Sequence, residues 1–194
     1  MNLSLLRRMA PAAVMAIGLV VVAGNALAAP VTYDVVLSGP SESPPNASPG
    51  TGIGTVKIDA VAHTMEINVT WSGLVGTTTA SHIHAATANP GTGTAGVATT
   101  TPSFSGFPNG VTSGMYSNTL NMTLSSSYNP TYVTNNGGTT ASAEAALFAA
   151  IGAGKAYLNI HSSSFGGGEI RGFLTPAPVA VEGSTWSKIK ALAE

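Results

Sequence analysis

The side chains of this chain best suited to chemistry are two imidazoles set two residues apart, His82 and His84, in the stretch ASHIHAATANPG. A third, His161, occupies a similar setting in AYLNIHSS, and a fourth, His63, falls at a turn. Successive side chains of a β-strand point to opposite faces, so His82 and His84 share one face while Ile83 enters the other. The same parity groups Tyr157, Asn159 and His161 and sends Leu158 and Ile160 to the core. Side chains at i and i+2 lie about 6.5 to 7 Å apart, which lets both rings lean toward one ion. If the two strands are neighbours, three neutral imidazoles converge, a donor set suited to copper, zinc, nickel or iron. Asn159 or Ser81 would then orient the rings.

The competing reading is plain: histidines on a solvated strand face, hydrogen-bonded to Ser, Thr and Asn neighbours, need no metal. The parallel setting of His161 and the scarcity of charge tip the balance toward a metal site of His82, His84 and His161. For an exported, cysteine-free chain the expected metal is copper first and zinc second. Glu169 and Arg171 flank Ile170 and share a face. They are expected to form an ion pair that pins the last hairpin, with Glu169 as an extra ligand or base in the functional alternative. His63 is expected to be exposed. Other chemistry is not supported. The chain has no G-x-S-x-G elbow, and the glycine run 166–168 does not precede a helix, so it is no phosphate loop. No catalytic residue is assigned, and the expectation is a protein that is not an enzyme.

The elements that must position these residues read as strands and turns. Val31–Leu37 is a first strand. In the hairpin that follows, Val56 and Ile58 alternate with Lys57 and Asp59, and Met65, Ile67, Val69 and Trp71 alternate with Glu66, Asn68 and Thr70. TTTASHIHAAT reads as another strand, ended by Asn89-Pro90-Gly91. Residues 91–114 look irregular, with one short strand near Val97–Thr101. In MYSNTLNMTL, Tyr116, Leu120, Met122 and Leu124 are expected inside. One helix is predicted in TTASAEAALFAAIGAG, with a hydroxyl cap, an apolar stripe of Leu147, Phe148 and Ile151, and a glycine stop. KAYLNIHSS and EIRGFLTP supply the last two strands. The expected fold is therefore all-β, an antiparallel β-sandwich or barrel with one short helix before the last two strands.

Residues 1–28 have the layout of a signal peptide: Arg7 and Arg8, an apolar run, then Ala26-Leu27-Ala28. Cleavage there leaves 166 residues in a periplasmic or extracellular location, with no stable membrane insertion afterwards. Without Arg7 and Arg8, five cationic side chains face eight acidic ones, for a net charge of −3. Only Lys57, Lys155 and Arg171 lie within 31–176, so there is no basic patch for nucleic acid or anionic membranes. The absence of cysteine excludes disulfides, thiolate metal sites and cysteine nucleophiles. The expected division is a leader at 1–28, one domain at 29–176, and a linker and tail at 177–194. Within that tail Trp186, Ile189 and Leu192 form a partial apolar stripe over 184–194.

The order of motifs resembles the CHRD domain, a module of chordin that also occurs in exported bacterial proteins. The matching stretches are TWSGL (Thr70–Leu74), SHIHAA (Ser81–Ala86), the helix, AYLNIHS (Ala156–Ser162) and GGEIRGFL (Gly167–Leu174). The resemblance covers roughly residues 31–176 and departs from the family in the long Gly/Thr-rich loop 91–114. It implies an immunoglobulin-like β-sandwich and a non-enzymatic module. The histidine pattern is also similar in geometry to copper/zinc superoxide dismutase, but a bridging histidine after the pair and a cysteine pair are both missing. The readings thus rank as metal-binding module, then structural or adhesive module with a protein or matrix partner, then redox metalloprotein.

Overall fold

The computed structural model describes residues 29–178; the leader read at 1–28 and the tail from 179 onward lie outside the described residues. Among the described residues the eight strands are β1 (Val31–Ser38), β2 (Thr51–Asp59), β3 (Thr64–Ser72), β4 (Thr78–His84), β5 (Gly114–Asn121), β6 (Tyr157–Ser162), β7 (Ile170–Phe173) and β8 (Thr175–Pro176). They form one sheet in the order β4-β6-β7-β1-β2-β3-β5, with β8 paired to β1. Every pairing is antiparallel. The sheet curls into a half-barrel around one apolar core, which is the all-β architecture expected.

The period-two patterns produce this burial directly. On β3, Met65, Ile67, Val69 and Trp71 are all buried, while the alternate residues Glu66, Asn68 and Thr70 are not. On β5, Tyr116 and Leu120 face inward as expected, and Met122 is buried just beyond the strand. Leu124 is not inside. The strand ends at Asn121 and the chain turns through Ser125–Ser127, leaving Leu124 exposed.

The predicted helix is α2 (Thr140–Gly152). Thr139 and Ser142 close a reciprocal capping box at its start, which satisfies two orphan donors. Ala143, Leu147 and Ile151 are completely buried, and Phe148 packs partly against the core. A second helix, α1 (Pro130–Asn135), was not expected from the sequence. Its signal is the pair Asn129-Pro130: the Asn129 side chain accepts from Thr131 N, and proline occupies the first helical position.

The largest departure from expectation is the connection between β4 and β5. No strand forms near Val97–Thr101, where only isolated bridges join Val97 to His84 and Thr99 to Tyr128. This loop instead runs along the free edge of β4, with Ala98 N–H donating to Ile83 O, Phe104 N–H to Ser81 O and Gly110 N–H to Thr78 O. It therefore covers an edge that would otherwise be open to pairing. Two buried aromatics hold it: Phe107 stacks on Trp71 at 5.0 Å, and Phe104 on Tyr116 at 5.6 Å.

Phe104→Ala is expected to lower stability by about 3–5 kcal/mol, the range for removing a buried aromatic. Denaturant unfolding measures it. A loss well under 1 kcal/mol would show that the loop is not anchored through this ring.

Candidate metal centre

Strand register assembles the site before any side-chain detail is considered. His82 pairs with Asn159, Asn159 with Arg171, and Arg171 with Ser38, so one row crosses β4, β6, β7 and β1. The adjacent row joins His84, Tyr157 and Phe173, and His161 lies opposite Ala80. All these side chains are on the sheet face opposite Ile83, Leu158 and Ile160, which are fully buried in the core. The parity argument therefore holds, but the face is not solvated. His82 is 6% exposed and His84 9%, because loops cover them; His161 is half-buried.

His82, His84 and His161 do come together. Each offers a ligand nitrogen within 4.8 Å of the others, and among the described residues theirs is the one such group. The ring centroids are 5.2 to 6.3 Å apart.

The outer nitrogen of each ring faces a backbone carbonyl. His82 Nε2 lies 2.7 Å from Pro102 O, His84 Nδ1 2.9 Å from Ala95 O, and His161 Nδ1 2.9 Å from Gly166 O. A carbonyl can only accept, so each of those nitrogens carries the proton and donates. In the neutral rings the lone pairs are thereby assigned to His82 Nδ1, His84 Nε2 and His161 Nε2. His82 Nδ1 and His161 Nε2 are 3.3 Å apart, two acceptors with no hydrogen between them. Two nitrogens bound to one tetrahedral or trigonal ion at about 2.0–2.1 Å are separated by roughly 3.3–3.6 Å. The residues present fit a metal ion. Because the full set spans up to 4.8 Å, the rings must draw slightly inward to share it.

Protonation does not easily substitute for the metal. Burial pushes the His82 imidazole down to about 4; the bond to Pro102 works against the shift, and the neighbouring His161 and His84 add to it. His84 and His161 are also lowered, chiefly by burial. All three therefore stay neutral, the form that ligates.

The neighbours divide into those that touch the rings and those that do not. Tyr157 stacks on His84 at 4.8 Å with planes 7° apart, and its hydroxyl exchanges hydrogen bonds with Ala95 at 3.3 Å. The Asn159 side-chain amide lies 3.1 Å from His84 Nε2; an amide oxygen cannot donate to a lone pair, so the Nδ1–H form of His84 requires this amide to be turned with its Nδ2–H toward the ring. Ser81 does not orient a ring; its hydroxyl donates to Asn159 O and ties β4 to β6. The turn carrying Gly166 O is set by Gly168, at φ +129°, where a Cβ would sit 2.6 Å from Glu42 Oε1 and 2.9 Å from Asn159 Nδ2.

The expected Glu169–Arg171 pair does not form. Glu169, fully buried, accepts from Ser48 Oγ at 2.6 Å, Val75 N–H at 2.6 Å and Gly76 N–H at 3.2 Å. Arg171 faces Glu42 at 3.8 Å, donates to Ser41 O and Gly93 O, and lies 4.7 Å over the Tyr157 ring. Three donors from other segments hold Glu169, so it is unavailable as a ligand. His63 is exposed as expected, and its Nδ1 meets Glu144 of α2 at 2.9 Å. The carbonyls of Ala95, Pro102 and Gly166 were not legible in the sequence, since any residue type supplies one.

These features can be set beside known proteins. The family model of the CHRD domain matches residues 33–174, more than half of the chain and all three histidines. The chain belongs to the CHRD-domain family. No curated protein and no solved structure gives a significant match. Among the described residues of this CHRD-domain chain, no helix is long and apolar enough to cross a membrane.

In metal-free protein the His82 ring is expected to titrate near pH 4 by NMR. Its folded value is depressed below the ordinary 6.5, so its contribution to stability is complete above pH 6.5 and is lost as pH falls toward 4. Titration at the ordinary value would mean that the loops do not bury the ring.

Proposed function

We propose that this CHRD-domain chain is an exported, non-enzymatic module that binds one transition-metal ion through His82, His84 and His161. Copper is the first candidate and zinc the second. The observation that carries this reading is the tautomer assignment: outer nitrogens committed to carbonyls leave the inner lone pairs of His82 and His161 facing each other 3.3 Å apart, with His84 in the same group of three. Polar residues that merely decorate a strand face would find hydrogen-bond donors, and the inner nitrogens of His82 and His161 face each other instead.

Imidazole donors without thiolate or carboxylate suit copper and zinc better than hard oxygen-loving cations. Export rests on the leader-like residues 1–28, which precede the matched domain. Storage or buffering of the metal is the simplest task for such a module.

A second reading, an interaction module, has one observation in its favour. Val36, Ile53 and Met115, each more than 60% exposed, fall on one cross-strand row with Thr70 between Ile53 and Met115. That row crosses β1, β2, β3 and β5 on the sheet face that carries the histidines on β4 and β6, at the other end of the strand order.

Titration of the purified chain with copper is expected to saturate at one equivalent. Each of His82→Ala, His84→Ala and His161→Ala should weaken binding by about a hundredfold or more. Saturating metal at about a thousand times Kd should add about 4 kcal/mol to stability. Wild-type protein that takes up no metal above background would end this reading.

A further inference from the structure

Three imidazoles leave a tetrahedral or tetragonal ion short of a full ligand set, and the side chains around them limit what can complete it. Glu169 is held by Ser48, Val75 and Gly76. The Tyr157 hydroxyl is engaged with Ala95, and the Ser81 hydroxyl donates to Asn159 O. The side-chain amide of Asn159 is left. Asn159 is 2% exposed and pairs across the strands with His82, and one end of its amide lies 3.1 Å from His84 Nε2. An amide oxygen and an imidazole nitrogen bound to one ion are separated by roughly 3–3.5 Å.

The other end of the amide faces Glu42. That residue is buried; its Oε2 meets Arg171 Nε at 3.8 Å, and its Oε1 has no hydrogen-bond partner. Glu42 Oε1 and Asn159 Nδ2 both border the point where a Cβ on Gly168 would sit, at 2.6 and 2.9 Å, so glycine at this position lets the two approach.

Asn159 thus stands between two acceptors, the His84 lone pair and the Glu42 carboxylate, and its one NH₂ group can face only one of them. Turned with Nδ2–H toward His84, the amide presents its oxygen to Glu42 Oε1. Turned the other way, it satisfies Glu42 and presents its oxygen to the lone pair. Either orientation leaves two buried acceptors in contact in the metal-free protein, a costly arrangement. A cation held by His84 removes the conflict, because the oxygen then meets the ion while the NH₂ donates to Glu42. Amide oxygens serve as axial ligands in copper sites of other proteins. Resting on the three-histidine reading above, we infer that Asn159 Oδ1 is the fourth ligand of that ion, with Glu42 as the positioning residue that turns the amide inward.

The experiment is the crystal structure of the wild-type chain loaded with Zn²⁺ and, separately, with Cu²⁺, beside affinities from chelator competition. Asn159 Oδ1 is expected within about 2.5 Å of the ion, with Nδ2 turned to Glu42. Asn159→Ala should weaken binding by about tenfold or more, while Asn159→Asp, which keeps an oxygen in place, should bind at least as tightly as wild type. Glu42→Gln should also weaken it, since its own amide can donate to Asn159 Oδ1 and hold it outward. An ion on the three rings with water in the fourth position would overturn the inference and leave the metal site standing. If neither ion binds, both fall. Unchanged affinity in Glu42→Gln would remove Glu42 from the account. The wild-type structure decides the main point even if the variants do not fold.

Discussion

Three hydrogen bonds, from His82, His84 and His161 to the carbonyls of Pro102, Ala95 and Gly166, govern everything else at this site. They fix which nitrogen of each ring is protonated and turn the other three inward. Those carbonyls lie on irregular segments, so the fold must hold two loops as firmly as it holds its strands. It does so by burying Phe104 and Phe107 of the β4–β5 loop in the core. Tyr157 grips Ala95 while stacking on His84. The β6–β7 turn is held by hydrogen bonds between Ser162 and Phe165 and from Gly168 to Phe165. The β-sheet supplies register, and the loops supply the tautomers.

The same arrangement stores unfavourable energy in the metal-free state. Two lone pairs face each other, three imidazoles are kept neutral by burial, and a buried arginine stands behind them. An ion held by the three rings would relieve the first of these by turning the facing lone pairs into bonds. Metal affinity and folding stability are therefore linked through one set of contacts.

Much of this was legible in the residues. Parity on two strands placed His82, His84 and His161 on the face away from Ile83, Leu158 and Ile160, and the register made that face continuous. The strands with clear alternation, β2 and β3 above all, formed where period two predicts. Three things could not be read. The burial of the histidines depends on the β4–β5 loop, whose Gly- and Thr-rich composition suggests only irregularity. Glu169 and Arg171 have the spacing of an ion pair, but each found partners from distant segments that spacing cannot reveal. His63 has the turn position of a solvated residue and is tied to Glu144, 81 residues away.

The central claim is that the protons sit on the outer nitrogens and the lone pairs face inward. Long-range ¹⁵N–¹H NMR of the imidazoles in metal-free protein reads this directly. The account predicts His82 in the Nε2–H form and both His84 and His161 in the Nδ1–H form. On adding one equivalent of Cu⁺, the ¹⁵N shift should change at His82 Nδ1, His84 Nε2 and His161 Nε2. Any of the three rings held in the opposite tautomer, or coordination through an outer nitrogen, would contradict it.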